Sequence, residues 1–180
     1  FDPAADRIVR RYHGFEGYIA GVAVDPAGSV VAASGRDGAL AAWDAETGRK
    51  LWEVARGENA RWLQFAPDGK SLLAGDDAGR IRRFAADSGK VLTTYREKGG
   101  RVSTGAIDHK GERFVVIGDA SEPALFDVAT GKLLRTLKGK PFDGVAFIDG
   151  GRPRLISSGL TMWDVESGER RWFVRVRGEQ

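Results

Sequence analysis

"WDAETGRKLW", residues 43–52, contains two tryptophans nine residues apart with a turn signal between them. A helix through this stretch would hold Gly48 in its interior, at a cost of about 1 kcal/mol relative to alanine. In a hairpin, Asp44 can bond back to its own backbone, and Gly48 can adopt the positive φ of a bulged turn. The apolar residues on either side then form two paired strands, so we predict a β-hairpin.

The same turn recurs along the chain. The turn glycines are Gly48, Gly89, Gly131 and Gly168. A second series of turns ends at Gly28, Gly69, Gly111 and the pair Gly150-Gly151. A period of about 40 to 45 residues is typical of propeller blades with four strands each.

The four repeats cover approximately residues 14–54, 55–95, 96–137 and 138–177. In the first repeat, short runs rich in β-formers predict strands at 19–24, 30–34, 39–43 and 50–54. The later repeats show the same order of runs and turns. The sequence therefore predicts an all-β chain of about four β-propeller blades, each with four antiparallel strands.

These repeats resemble the WD-repeat propeller family over essentially the whole chain. The motifs that carry the resemblance are the "DPAG" and "APDG" turns, Asp37-Gly38, the Trp-Asp pairs at 43–44 and 163–164, and "TGKLLRTL" at 130–137. The family often has a His before the first strand, but Phe15 and Arg56 stand at that position in the first two repeats. The repeats are therefore degenerate and similar to those of bacterial propellers.

A second resemblance is to quinoprotein-type propellers, through "AWDAETGRKLW" at 42–52 and "MWDVESGERRW" at 162–172. In those proteins the second Trp of the motif packs each blade onto its neighbour. The resemblance implies that Trp43 fills the core of its own blade and that Trp52 braces the contact between blades. The residues with an expected structural role are Trp43, Asp44, Gly48, Trp52, Phe84, Gly89, Phe126, Asp127, Gly131, Trp163, Asp164, Gly168 and Trp172.

The strand count exceeds the number that four blades need. Residues 7–12, "RIVRRY", look like the outer strand of a preceding or closing blade, and "RRWFVRV" near the other end also looks like an outer strand. Four blades hold sixteen strands, whereas seventeen are predicted. Three explanations stay open: a piece of a ring of seven or eight blades, a ring shared by two copies, or a closed ring of four blades.

Composition excludes several kinds of chemistry. The 180 residues include 42% hydrophobic residues, two histidines and no cysteine, so disulfides and thiolate metal sites are excluded and a zinc site is not expected. The run "DGKS" at 68–71 lacks the first glycine of a phosphate loop. The calcium-binding set and vicinal Cys pair of quinoprotein enzymes are not matched. We predict no catalytic residues, no metal and no cofactor.

The net charge of +3 is small, and basic residues are in excess in the second half of the chain. We interpret Arg170, Arg171, Arg175 and Arg177 as charges that protect an edge strand. A nucleic-acid surface would need a denser, one-sided cluster with exposed aromatics. No apolar run reaches the roughly 18 residues of a membrane span. If the protein is bacterial, a periplasmic location and a cytoplasmic location are both open.

The first functional hypothesis is a non-catalytic protein-interaction scaffold. In the WD-repeat family the partner surface is the face that holds the loop before the first strand and the loop between the second and third. The resemblance places the following residues on that face: Tyr18, Arg36, Asn59, Arg61, Asp76, Arg101 and Asp119. The alternative is a propeller segment of a larger quinoprotein-like or other periplasmic enzyme, with catalytic residues outside this chain. The expected partners are other proteins, including further blades from another chain or a second copy.

Overall fold

The computed structural model describes residues 8–15, 18–54, 59–96, 100–119, 122–139, 144–148, 154–158 and 161–173. Its strands are β1 (Ile19–Val24), β2 (Val30–Gly35), β3 (Leu40–Asp44), β4 (Lys50–Val54), β5 (Ala60–Phe65), β6 (Ser71–Asp76), β7 (Arg80–Ala85), β8 (Val91–Arg96), β9 (Val102–Ile107), β10 (Arg113–Gly118), β11 (Ala124–Asp127), β12 (Leu133–Thr136), β13 (Val145–Ile148), β14 (Arg154–Ser157), β15 (Thr161–Asp164) and β16 (Arg170–Phe173).

The strands form four antiparallel sheets, each of four strands in sequence order. We call the sheets blades 1 to 4. The first strands of the blades lie side by side, β1 against β5, β5 against β9, and β9 against β13. The predicted all-β architecture of four four-stranded blades is therefore confirmed.

The hydrophobic cores lie between the blades. The core between blades 1 and 2 joins Trp52 to Leu63 and Phe84, and the core between blades 3 and 4 joins Leu137 to Trp163. A single sheet has no interior of its own, so the aromatic residue of each third strand is buried against the preceding blade. Trp43 packs with Ala33 and Ala41 of its own blade, as expected, and also with Phe15, which precedes blade 1 in the chain.

Aromatic residues of the outer strands tie blade 1 to blade 2 and blade 2 to blade 3, as expected for Trp52. The Trp52 indole Nε1 donates to the Ala86 carbonyl at 2.7 Å, and the Tyr95 hydroxyl donates to the Val128 carbonyl at 2.7 Å. Trp52 lies so close to Gly89 that a Cβ there would be 2.6 Å from its ring. The turn glycine is thus required for contact between blades as well as for its φ of +66°.

The junction between blades 3 and 4 differs. Leu137 stands where blade 2 has Tyr95 and cannot donate a hydrogen bond. Instead, an Arg135 guanidinium nitrogen donates to the Ser167 carbonyl. The Trp163 indole Nε1 donates in the other direction, to the Lys138 carbonyl at 3.0 Å.

In blades 1, 3 and 4 the turn between the third and fourth strands is fixed by a carboxylate. Asp44 Oδ1 accepts bonds from both the backbone N–H and the hydroxyl of Thr47, each at 2.7 Å. These two bonds lower the Asp44 pKa below its ordinary value of 3.8. Asp127 bonds Thr130, and Asp164 bonds Ser167, in the same way. Trp172 lies in β16, but its side chain is outside the part of the chain that the structure describes.

The structure assigns no strand to residues 8–15, in contrast to the outer strand predicted for residues 7–12. Residue 7 lies outside the described residues. No described strand runs beside this segment, and a strand needs a hydrogen-bonded neighbour. Its side chains nevertheless repeat the ties between blades, because the Tyr12 hydroxyl donates to the Ala45 carbonyl at 3.0 Å and the Trp43 indole donates to the His13 carbonyl at 3.2 Å.

Candidate partner-binding face

In each blade a backbone hydrogen bond joins the residue before the first strand to the residue after the second strand. The four donor–acceptor pairs are Arg36 N–H to Tyr18 O, Asp77 N–H to Asn59 O, Asp119 N–H to Arg101 O, and Ser158 N–H to Gly144 O. These bonds place the paired loops on one face of the blades. Five of the seven residues predicted for the face, Tyr18, Arg36, Asn59, Arg101 and Asp119, occupy these positions.

Arg61 is also on this face, at a β-bulge. The register between β5 and β6 shifts between Ala60 and Trp62, which leaves Arg61 as the extra residue. Its Nε donates to Asp77 Oδ1 at 2.7 Å, and the Asn59 amide donates to Asp77 Oδ2 at 2.9 Å. Blade 2 therefore presents a neutralised arginine–aspartate pair.

Asp76 is not part of the face. Only 1% of the residue is exposed. Its Oδ1 accepts the backbone N–H groups of Ala78 and Arg80, and its Oδ2 pairs with the Arg80 Nε at 3.0 Å and a nitrogen of Arg82 at 3.5 Å. Asp77 occupies the surface position instead. It lies two residues before Gly79, which has a positive φ, just as Arg36 lies two residues before Gly38, and this spacing would have identified it in the sequence.

Blade 3 repeats the charge pair. Asp119 pairs with an Arg101 nitrogen at 2.5 Å and accepts the Ser103 hydroxyl at 2.7 Å. The bond from Ser103, followed by that from Arg101, lowers the Asp119 pKa below 3.8, and Asp119 in turn raises the Arg101 pKa. Ser103 is the bulge residue of β9, and the sequence motifs did not single it out.

Blade 1 carries an arginine stacked on an exposed tyrosine. The Arg36 guanidinium carbon lies 5.7 Å from the centre of the Tyr18 ring, within cation–π range. Tyr18 is 78% exposed. Among the described residues, no carboxylate pairs with Arg36, so the cation is available to a partner.

Two kinds of feature are absent from the part of the chain that the structure describes. The described residues contain no group of three or more His, Cys, Asp or Glu side chains that could hold a metal ion. No helix within the described ranges has the length and apolar character needed to cross a membrane. What the face can supply is hydrogen bonds, charge and one aromatic contact.

Comparison with known proteins gives one family match. Residues 15–175 match the model of a propeller-type repeat family described as "Outer membrane protein assembly factor BamB". The chain is also similar to eukaryotic translation initiation factor 3 subunit I of Candida albicans, with 27% identity over 142 residues. That match covers 69% of this chain and 40% of the relative.

Two further relatives match shorter stretches. Cross-pathway control WD-repeat protein 2 of Flammulina velutipes is 30% identical over 86 residues, 48% of this chain and 27% of the relative. Small ribosomal subunit protein RACK1z of Arabidopsis thaliana is 36% identical over 66 residues, 37% of this chain and 20% of the relative. The matched residues thus span 40% or less of these three proteins. All three are eukaryotic, so they do not support the expected bacterial origin.

Solved structures share the fold. The structure of U3-55K superposes with a TM-score of 0.78 at 21% identity, covering 90% of this chain and 53% of that one. The WD40 repeats of RRP9 give the same score and identity, with 52% of that chain covered. The resemblance to WD-repeat propellers is therefore confirmed.

Proposed function

Since the chain belongs to the propeller-repeat family described as "Outer membrane protein assembly factor BamB", we propose that it is a non-catalytic protein-interaction scaffold whose partners bind the face described above. The names of its relatives support this reading, because a translation initiation factor subunit and a small ribosomal subunit protein are parts of larger assemblies. Fold alone does not specify function, so the proposal rests on the face.

The Tyr18–Arg36 stack is the observation that carries the proposal. Tyr and Arg are the residue types most enriched at interaction hot spots. Arg61 and Arg101 already bond carboxylates of their own blades, whereas Arg36 bonds none among the described residues. A partner that offers a carboxylate or carbonyl oxygen beside an apolar surface fits this stack.

We expect the double substitution Tyr18→Ala and Arg36→Ala to weaken binding at least about thirtyfold, because truncation of even one hot-spot residue costs about 2 kcal/mol. The partner is first identified by crosslinking to the wild-type chain, and its dissociation constant is then measured with purified proteins by calorimetry. The matched control is Lys70→Ala with Lys110→Ala. These two exposed lysines lie in turns at the opposite ends of the blades. Unchanged binding by the first variant with a loss in the control would contradict the proposal.

We also propose that a further blade, which has the segment 8–12 as its outer strand, packs on blade 1. The side chains of Ile19, Val22 and Val24 on β1 are 48%, 67% and 57% exposed. The equivalent residues of blade 2, Ala60, Leu63 and Phe65, are 5%, 8% and 5% exposed because blade 1 covers them. The first strand of blade 1 therefore presents an apolar face like that of blade 2, but no blade among the described residues covers it.

The segment 8–12 indicates how many further strands the proposed blade needs. Tyr12 and His13 make on blade 1 the bonds that Tyr95 makes on blade 3 and Lys138 makes on blade 4. The segment thus occupies the position of an outer strand, and its blade needs three more strands. A second copy of blade 4 would bring four strands, including β16, and is a poorer fit.

An added three-stranded unit tests this arrangement. Residues 59–90, copied from blade 2 and joined directly to Ile8, should slow amide hydrogen exchange at residues 8–12 and at β1 by at least tenfold. The control joins the same unit to Val9, because a shift of one residue turns every side chain to the opposite face. Equal protection in both chimeras, or protection in neither, would contradict the arrangement.

A further inference from the structure

We propose a second interaction surface, separate from the face described above: the groove between the outer edges of blades 3 and 4 binds an extended acidic peptide. This cationic groove, as we call it, has a volume of about 920 Å³. Its lining includes Arg135, Thr136 and Lys138 from blade 3 and Glu169, Arg170 and Arg171 from blade 4. Four of these side chains are cationic and one, Glu169, is acidic; Glu169 pairs with Arg171 at 3.4 Å, so the positive charges outnumber the negative one by three.

One cation of the groove, Arg171, has no counterpart in the other blades. Three residues after the turn glycine, blades 1, 2 and 3 have Leu51, Leu92 and Leu134, whereas blade 4 has Arg171. Charge that only protected edge strands from aggregation would be needed at the outer strand of every blade. The substitution in one blade therefore points to a local requirement for positive charge.

Arg135 contributes to the same groove from blade 3. At the other junctions the outer strand closes the contact with an aromatic ring, as Trp52 does over Gly89. At this junction the Arg135 side chain lies against Gly168 and bonds the Ser167 carbonyl. A guanidinium has five N–H donors. The bond to Ser167 therefore leaves Arg135 able to bond a carboxylate as well.

The edge of the sheet favours a peptide as the occupant. β12 is the outer strand of blade 3, and its residues Arg135 and Thr136 line the groove. An edge strand presents unpaired backbone N–H and C=O groups, to which an extended peptide can add by β-augmentation. Among the described residues, the lining has no aromatic side chain on which nucleic-acid bases could stack. Acidic side chains on the added strand would then lie among the four cations.

Fluorescence anisotropy with two labelled peptides tests the proposal on the intact chain. The first peptide alternates Glu and Thr over eight residues, and the second has Gln in place of Glu. We expect the Glu peptide to bind and the Gln peptide to bind at least tenfold more weakly. Lys138→Ala with Arg171→Ala should weaken binding of the Glu peptide about fivefold, since exposed ion pairs each contribute only modestly to affinity.

The charge-matched control is Arg49→Ala with Lys90→Ala, which removes two cations directly after the turn glycines of blades 1 and 2. This control should bind the Glu peptide like the wild type. No binding by the wild type, an equal loss in the control, or tighter and equally variant-sensitive binding of a single-stranded oligonucleotide would overturn the proposal. Tyr18→Ala with Arg36→Ala should leave this binding unchanged, which separates its failure from failure of the proposed function.

Discussion

Replacing Trp52 with alanine is expected to lower the free energy of unfolding by about 3 to 5 kcal/mol. The side chain is only 8% exposed and joins blade 1 to Leu63 and Phe84 of blade 2. Its removal leaves a cavity over Gly89 and takes the hydrogen bond from the Ala86 carbonyl. Urea unfolding followed by far-ultraviolet circular dichroism measures the effect. The loss is a large share of the 5 to 15 kcal/mol typical of a folded domain.

Trp52→Phe separates packing from hydrogen bonding. Phenylalanine keeps most of the ring over Gly89 but cannot donate to Ala86, so we expect a loss of about 1 kcal/mol. If Trp52→Ala cost no more than Trp52→Phe, the contact between blades 1 and 2 would not depend on this ring.

Asp76→Ala is expected to lower the free energy of unfolding by about 3 kcal/mol. The carboxylate is buried and bonds two backbone N–H groups as well as the guanidinium groups of Arg80 and Arg82. Removing one partner of a buried ion pair is costly because the other charge stays desolvated. Arg82 is 22% exposed and Arg80 33%, which keeps the effect at the lower end of the usual range.

The neighbouring Asp77 is the matched control for Asp76. Its pair with Arg61 is partly exposed, so Asp77→Ala should change stability by less than about 1 kcal/mol. Asp76→Asn keeps an oxygen for the backbone donors and should fall between the two. A stability loss for Asp77→Ala that matches or exceeds that for Asp76→Ala would contradict the assignment of Asp76 to the interior.

The repeated turn glycines located the strands, because a turn position with a positive φ strongly favours glycine and so marks where one strand ends and the next begins. Gly48 and Gly131 have φ values of +74° and +72° and lie in the turns of hairpins that the sequence located. The same local signals do not say which blade covers which face. The contacts of Trp43 with Ala33 and Ala41 in its own blade follow the prediction, but its contacts with Phe15 and Tyr12, about thirty residues away in sequence, were not predicted.

The misplacement of Asp76 has a different cause. Two adjacent aspartates differ only in which side of the strand end they occupy, and a shift of one residue exchanges the interior for the surface. The register of β6 against β5 decides this, and it includes a bulge at Arg61 that composition does not reveal. The segment at 8–12 also satisfied every local signal for a strand, but pairing depends on a partner strand.

The backbone hydrogen bonds across the face fix the positions of its loops independently of the side chains that would bind a partner. Tyr18–Arg36, Asn59–Asp77, Arg101–Asp119 and Gly144–Ser158 are held together by main-chain atoms, whatever their side chains are. Eight positions can therefore vary in chemistry while the loops that carry them keep their places. Such a framework suits a randomised library, in which new binders could be selected by exchanging these eight side chains alone.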